Sequence, residues 1–368
     1  MTGESKGENM RSEDFDVIVI GAGLAGLCCA GELMLAGARP LLICEAKEVG
    51  FALKSHMVGG NRGLSQVPTW QVGWGGGWWP TLVRQLNVPV RTPLGFGQLD
   101  NAMALKGEDA ATLPQCALSG ESAAGAFVEG FPFLAEYQKE IGRVLDAALG
   151  IPYPELVKMH RTPLAQWLQD MKCDELVSDF LIKLGGFVSA ASSEFCRNHI
   201  SVSGAFGYFR SMFCGEATYG LPYPDNRHGL AIPLAREIEN RGGVIRRGGK
   251  VHEILMKNGR ADGIAMDDGT EARAPIVAFA CGNDRIAKLL DPIPPELEAS
   301  IAYSEKTTHL DFTVFAVIEG TVVPRDKAKW VAAVDFEDGL LEWTVRLHDL
   351  APWTTQPGKQ FLCAERIL

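Results

Sequence analysis

One stretch restricts what this chain can fold into more than any other. Val17-Ile18-Val19-Ile20 is a continuous apolar run, and it leads directly into Gly21-Ala22-Gly23-Leu24-Ala25-Gly26. Such a run fits a strand buried on both faces of a parallel sheet. A helical stretch follows, with Ala30, Leu33 and Gly37, and then a second apolar strand, Leu41-Leu42-Ile43-Cys44, which ends at Glu45. The pattern predicts a βαβ unit with GxGxxG at its first turn and an acid 19 residues after the last glycine.

Each part has a physical task. Gly21 permits the tight turn, Gly23 lets backbone approach a pyrophosphate, and Gly26 lets helix and strand pack closely. The helix that opens at Leu24 and Ala25 offers unpaired N–H groups and the positive end of its dipole to phosphates. Glu45, followed by Ala46, can accept hydrogen bonds from ribose hydroxyls, and its charge repels a 2′-phosphate. A structural glycine turn alone would not need strand, helix, second strand and acid in register. The expected ligand is an ADP-containing dinucleotide, with NADP disfavoured.

Composition narrows the class. The 368 residues exceed one typical core, so two intertwined domains are expected. A hydrophobic content of 46% and a charged content of 22% describe a soluble globular chain. The formal net charge of −10 argues against nucleic acid as a partner. Nine cysteines without a CxxC pair or Cys/His cluster fit reduced thiols in a cytoplasmic protein. Residues 1–14 are polar, lack an apolar h-region and read as a flexible leader. Residues 17–37 imitate a membrane span, but Glu32 and the placed glycines fit a buried strand–turn–helix better, so no transmembrane segment is expected. No metal-ligand spacing, nucleophile elbow or P-loop lysine is present.

A second informative block lies in the middle. Residues 229–240 (GLAIPLAREIEN) have helical spacing and stop at Gly242-Gly243. Strand runs follow at 244–247 and 250–254, with Asn258-Gly259 and Asp268-Gly269 as hairpin turns. Ala274 to Gly282 then reads as another buried strand leading to a glycine.

With these segments the chain resembles the FAD-dependent oxidoreductases of the amine oxidase and phytoene desaturase type, over most of residues 15–320. The residues that carry the resemblance are GAGLAG with Glu45, GLAIPLAREIENRGGVIRRGGKVHEI and GRADGIAMDDGTEARAPIVAFACGND. It implies an α/β fold: a Rossmann-like FAD-binding domain, discontinuous over 15–85 and 226–300, with an inserted α+β substrate domain over 86–225 and 301–368. It also implies that adenine lies near the backbone of Val251 and that the strand reaching Ala280 returns to the nucleotide edge. In that family a segment after the second strand passes along the flavin. Here that place is taken by Trp70–Pro80, WQVGWGGGWWP, where Gly75 and Gly76 would give close backbone approach and the tryptophans would wall an apolar cavity.

Two departures from the family pattern stand out. The Gly-Gly-Arg expected after the ribose acid is absent; the aligned positions read Val49-Gly50-Phe51-Ala52, and Arg62 in Gly59-Gly60-Asn61-Arg62 is the candidate substitute for phosphate charge. The C-terminal block that covers the flavin in the family is not found before Leu368, which suggests a shortened form, or a partner chain or oligomer that supplies the cover.

Between Leu86 and Asp225 the patterns turn helical, with amphipathic stretches at 131–149 and 163–184 and an aromatic cluster at Phe206, Tyr208, Phe209, Met212 and Phe213. Segments 311–319 and 330–335 read as strands. No acid or base stands out; His228 is the candidate catalytic residue, ahead of His199 and Tyr223. The expected function is an FAD-dependent oxidoreductase moving hydride between an apolar or amphipathic small molecule and flavin N5, most like a phytoene desaturase-type desaturase or isomerase. A flavin amine oxidase, a non-catalytic or truncated flavoprotein acting as a binding partner, and an NAD dehydrogenase are the rivals. Such a substrate keeps peripheral membrane contact open beside a cytoplasmic location.

Overall fold

The computed structural model describes residues 15–50, 56–58, 61–63, 78–88, 101–105, 111–112, 120–189, 197–213, 231–306, 311–319, 330–335, 340–346 and 356–367. In chain order the nucleotide-motif region gives β1 (Val17–Ile20), α1 (Leu24–Leu35) and β2 (Pro40–Cys44). Next come the hairpin β3 (His56–Val58) and β4 (Asn61–Gly63), then α2 (Trp78–Gln85), β5 (Asn101–Leu105) and β6 (Ala111–Thr112). A helical stretch follows: α3 (Gly120–Gly130), a 3-10 turn (Pro132–Tyr137), α4 (Gln138–Leu149), α5 (Tyr153–Lys158), α6 (Leu164–Asp170), α7 (Glu175–Ser189) and α8 (Val202–Phe213). The chain then returns to sheet through α9 (Ala231–Asn240), β7 (Val244–Arg247), β8 (Val251–Lys257), β9 (Arg260–Met266), β10 (Glu271–Arg273) and β11 (Val277–Phe279). It closes with α10 (Asn283–Ile286), α11 (Pro295–Lys306), β12 (Asp311–Glu319), β13 (Trp330–Asp335), β14 (Leu340–Arg346) and β15 (Lys359–Ile367).

The first sheet is parallel, in the order β11-β1-β2-β7, with Ile18 opposite both Val277 and Leu41, and Leu42 opposite Ile245. Its apolar runs are continuous because both faces are covered. Val17, Val19 and Leu42 face α1, α2 and α9, through Leu27, Leu82, Leu86, Leu234 and Ile238. Ile18, Ile20, Leu41 and Ile43 face the antiparallel sheet β10-β9-β8, through Val251, Ile254, Ile264 and Met266. Arg247 on β7 forms two hydrogen bonds to the carboxylate of Glu239 on α9 (2.6 and 3.1 Å), fixing the helix end over the sheet. α9 ends as its glycines predict, with Gly242 at φ +95°.

The helices α3–α8 enclose a core of their own. Phe180 packs edge-on against Phe127 and Phe131, each with ring centroids 5.4 Å apart, and Trp167 meets Phe206 at 5.3 Å. Phe206 therefore belongs to the core between helices; the side chains of Tyr208, Phe209, Met212 and Phe213 lie outside the described residues. Both long amphipathic stretches are interrupted. Residues 132–137 form a 3-10 turn before α4, and the 163–184 stretch breaks at Lys172, whose φ is +54°. Phe315 and Val317 of β12 pack on this helical core. Their sheet has six strands, β12-β15-β14-β13-β5-β6, and β5 joins it parallel to β13 from within the stretch read as helical.

Candidate functional site: a dinucleotide cradle

The carboxyl ends of β1, β2 and β11 converge on one cavity of about 490 Å³. It is lined by Gly21, Ala22 and Gly23 from the first turn, Glu45, Ala46, Glu48 and Gly50 after β2, Val251 at the start of β8, and Ala280, Cys281 and Arg285 after β11. In an open α/β sheet, ligands bind at the carboxyl ends of strands. Ala280, Cys281 and Arg285 thus reach the first turn, more than 200 residues away in sequence, through the pairing of β11 with β1.

Local geometry explains the glycines. Gly21 has φ +109°, and a Cβ there would meet the Cys281 sulfur at 2.6 Å and the Ala280 carbonyl oxygen at 2.7 Å. A Cβ on Gly26 would stand 1.8 Å from the Gly21 carbonyl oxygen. β1, α1 and β11 therefore meet at a separation that side chains would prevent. Gly23 differs: nothing lies within 4 Å of its hypothetical Cβ, and its backbone borders the cavity directly.

Gly23 is also the N-cap of α1, with no side-chain hydrogen bond and no acid in the first turn. The helix ladder begins with Leu27 N–H donating to Gly23 C=O at 3.0 Å. The N–H groups of Leu24, Ala25 and Gly26 precede that ladder, at the end of the helix where partial positive charge gathers. This is a donor set suited to a pyrophosphate. Glu45 follows β2 at the same edge, and its carboxylate accepts from the Arg285 guanidinium. Burial raises the Cys44 thiol above its ordinary value, so that thiol keeps its proton at neutral pH.

Of the residues expected from sequence, Gly21, Gly23, Glu45, Ala46, Val251 and Ala280 are brought together around the cavity, while Leu24, Ala25 and Gly26 form the helix turn behind it. Arg62 sits in the β3–β4 hairpin opposite Met57, and its side chain lies outside the described residues. Gly75, Gly76, His228 and Tyr223 also lie outside them. His199 is exposed and does not line the cavity. Sequence reasoning missed Glu48, Cys281 and Arg285. Cys281 adjoins the predicted Ala280 and could have been found from it; Arg285 carries no motif.

Residues 16–62 match the family described as FAD binding domain. The chain carries an FAD-binding fold. The glycine turn, the uncapped α1 end and the Glu45 carboxylate are groups of the kind that the ADP half of that cofactor would need. A structure of an oxidoreductase from Methanosarcina mazei is similar over 96% of this chain and 79% of its own, with a TM-score of 0.66 and 18% identity. Wild-type putrescine oxidase bound to putrescine is similar over 95% and 75%, with a TM-score of 0.59 and 14% identity. RAB GDI from Plasmodium falciparum is similar over 99% and 83%, with a TM-score of 0.58 and 10% identity. At these identities the likeness concerns the fold. No curated protein sequence matches the chain. Among the described residues no helix is long and apolar enough to cross a membrane, and no cluster of His, Cys, Asp or Glu could hold a metal ion.

Proposed function

We propose that this protein is an FAD-dependent oxidoreductase acting on a small molecule held between the six-stranded sheet and the flavin. The observation that carries the reading is the single cavity shared by Gly21, Gly23, Glu45, Val251 and Ala280. Its glycine lining and uncapped helix end suit the ADP half of FAD, and the N-terminal family match names the same cofactor. When bound, FAD supplies the hydride chemistry itself. The chain's own work is to cradle the pyrophosphate on glycine backbone and the α1 end, to read ribose through Glu45, and to keep the adenine side apolar.

For the substrate, we favour an apolar or amphipathic molecule oxidised at a C–C or C–N bond, of the desaturase or amine oxidase kind. Likeness of fold to a putrescine oxidase supports the second chemistry. One observation favours a further reading, a flavoprotein that binds a partner without catalysis: the fold is equally shared with a RAB GDI. An absorption spectrum of the purified protein, with the released cofactor identified after denaturation, tests the first step. Flavin bands with FAD near one per chain are expected. A colourless protein that takes up no added FAD would remove the enzyme reading. Anaerobic bleaching by polyamines or by polyene lipids then separates catalyst from binding protein, and says which bond is oxidised.

A further inference from the structure

The cavity has an unusual balance of charge. Its charged lining residues among those described are Glu45, Glu48 and Arg285. Two acids and one base thus line the cavity that the dianionic pyrophosphate of FAD would enter. Arg285 comes from α10, the short turn after β11, and its guanidinium donates to Oε2 of Glu45 across 240 residues of sequence. Both side chains are about half exposed, 45% and 46%.

A carboxylate accepts along about four lone-pair directions, and one bond from arginine leaves room for hydroxyls. An unpaired Glu45 would rotate freely and would add a full negative charge close to the phosphates. Paired, it is held at the ribose end with its charge offset. Arginine suits this role because its planar fork grips a carboxylate with little loss of rotamer freedom per bond.

We propose that Arg285 is a positioning residue of the cofactor site, which orients Glu45 for the adenosine ribose and neutralises it toward the pyrophosphate. The proposal rests on the FAD reading above.

The test is the dissociation constant of FAD, followed by quenching of flavin fluorescence on the 368-residue protein. It is measured for wild type, R285Q, R285K, E45Q and E45Q/R285Q, with melting curves without FAD to establish folding. R285Q is expected to raise the Kd about fivefold, the range of a half-exposed ion pair. R285K should recover part of that loss. In the E45Q background the same Arg285 change should alter the Kd less than about twofold, because the carboxylate it serves is gone. R285M, which keeps the aliphatic stem, replaces R285Q if that variant melts early. An unchanged Kd in R285Q, or an equal loss with and without Glu45, would overturn the proposal while leaving FAD binding intact. Failure of the wild-type protein to bind FAD would instead overturn the cofactor reading, and this inference with it.

Discussion

The carbonyl oxygen of Gly21 lies 1.8 Å from the point where a Cβ on residue 26 would stand. Both partners are backbone at the crossing of β1 and α1, so neither can swing aside. Gly26→Ala must therefore push the helix from the sheet or open the turn at Gly21. We expect a loss of about 3 kcal/mol or more in urea unfolding, at the upper end for overpacking, with loss of FAD binding.

Gly23→Ala should separate folding from cofactor binding. Its Cβ meets nothing within 4 Å and its φ of −72° suits alanine. The melting temperature without FAD should stay within about 2 °C of wild type, as for other strain-free changes worth under ~0.5 kcal/mol. The methyl group would nevertheless stand where the pyrophosphate meets backbone, so the FAD dissociation constant should rise at least about tenfold, the factor for ~1.4 kcal/mol of lost contact. A variant that binds FAD normally would place the phosphates elsewhere.

Cys281 borders the cavity beside Gly21 and is partly accessible. FAD in the cradle should shield it from maleimide. At a free concentration about ten times the Kd, labelling should slow about tenfold, because only the ligand-free fraction reacts. Cys173, equally part-buried but in the helical layer, serves as the control and should react at one rate throughout. Peptide mass spectrometry after timed labelling reads both sites.

Cys28 on α1 gives an alkaline limit to stability. Burial first, then the nearby Glu32 and Cys29, push its thiol from 9.0 up to about 11. Below pH 9 folded and unfolded chains both hold the proton, so the group adds no slope. Between about 9 and 11 the unfolded chain ionises first, and stability falls as pH rises. Cys29, Cys44 and Cys173 shift in the same direction. Cys28→Ala should lower the denaturant midpoint at pH 7 by the cost of a small core cavity, while flattening part of the further decline across that window.

The sequence was most informative where a local pattern and a buried surface coincide. The runs at 17–20 and 41–44 are apolar without alternation because helices cover one face of the sheet and the β8–β10 sheet covers the other. Turn chemistry at Asn258-Gly259 and Asp268-Gly269 located the hairpins, with both glycines at positive φ. β5 was hidden because Asn101–Leu105 is too short to show alternation, and its partner β13 begins only at Trp330. Helical periodicity across 131–149 and 163–184 did not reveal the breaks within them, since α4, α6 and α7 all face one core. Arg285 was illegible for a different reason: an isolated arginine in a four-residue turn gains meaning only once β11 pairs with β1.

That pairing also fixes an order of events during synthesis. Ile18 takes its β11 partner from Val277, and Ala280 N–H donates to Ile20 C=O at 2.8 Å. Translation proceeds at roughly 5–20 residues per second, so the first strand waits on the order of tens of seconds for its neighbour. During that interval the glycine turn exists but the wall opposite it has not yet been made. Cofactor can help to complete this nascent chain only after its later strands have left the ribosome, and cannot guide the start of its folding.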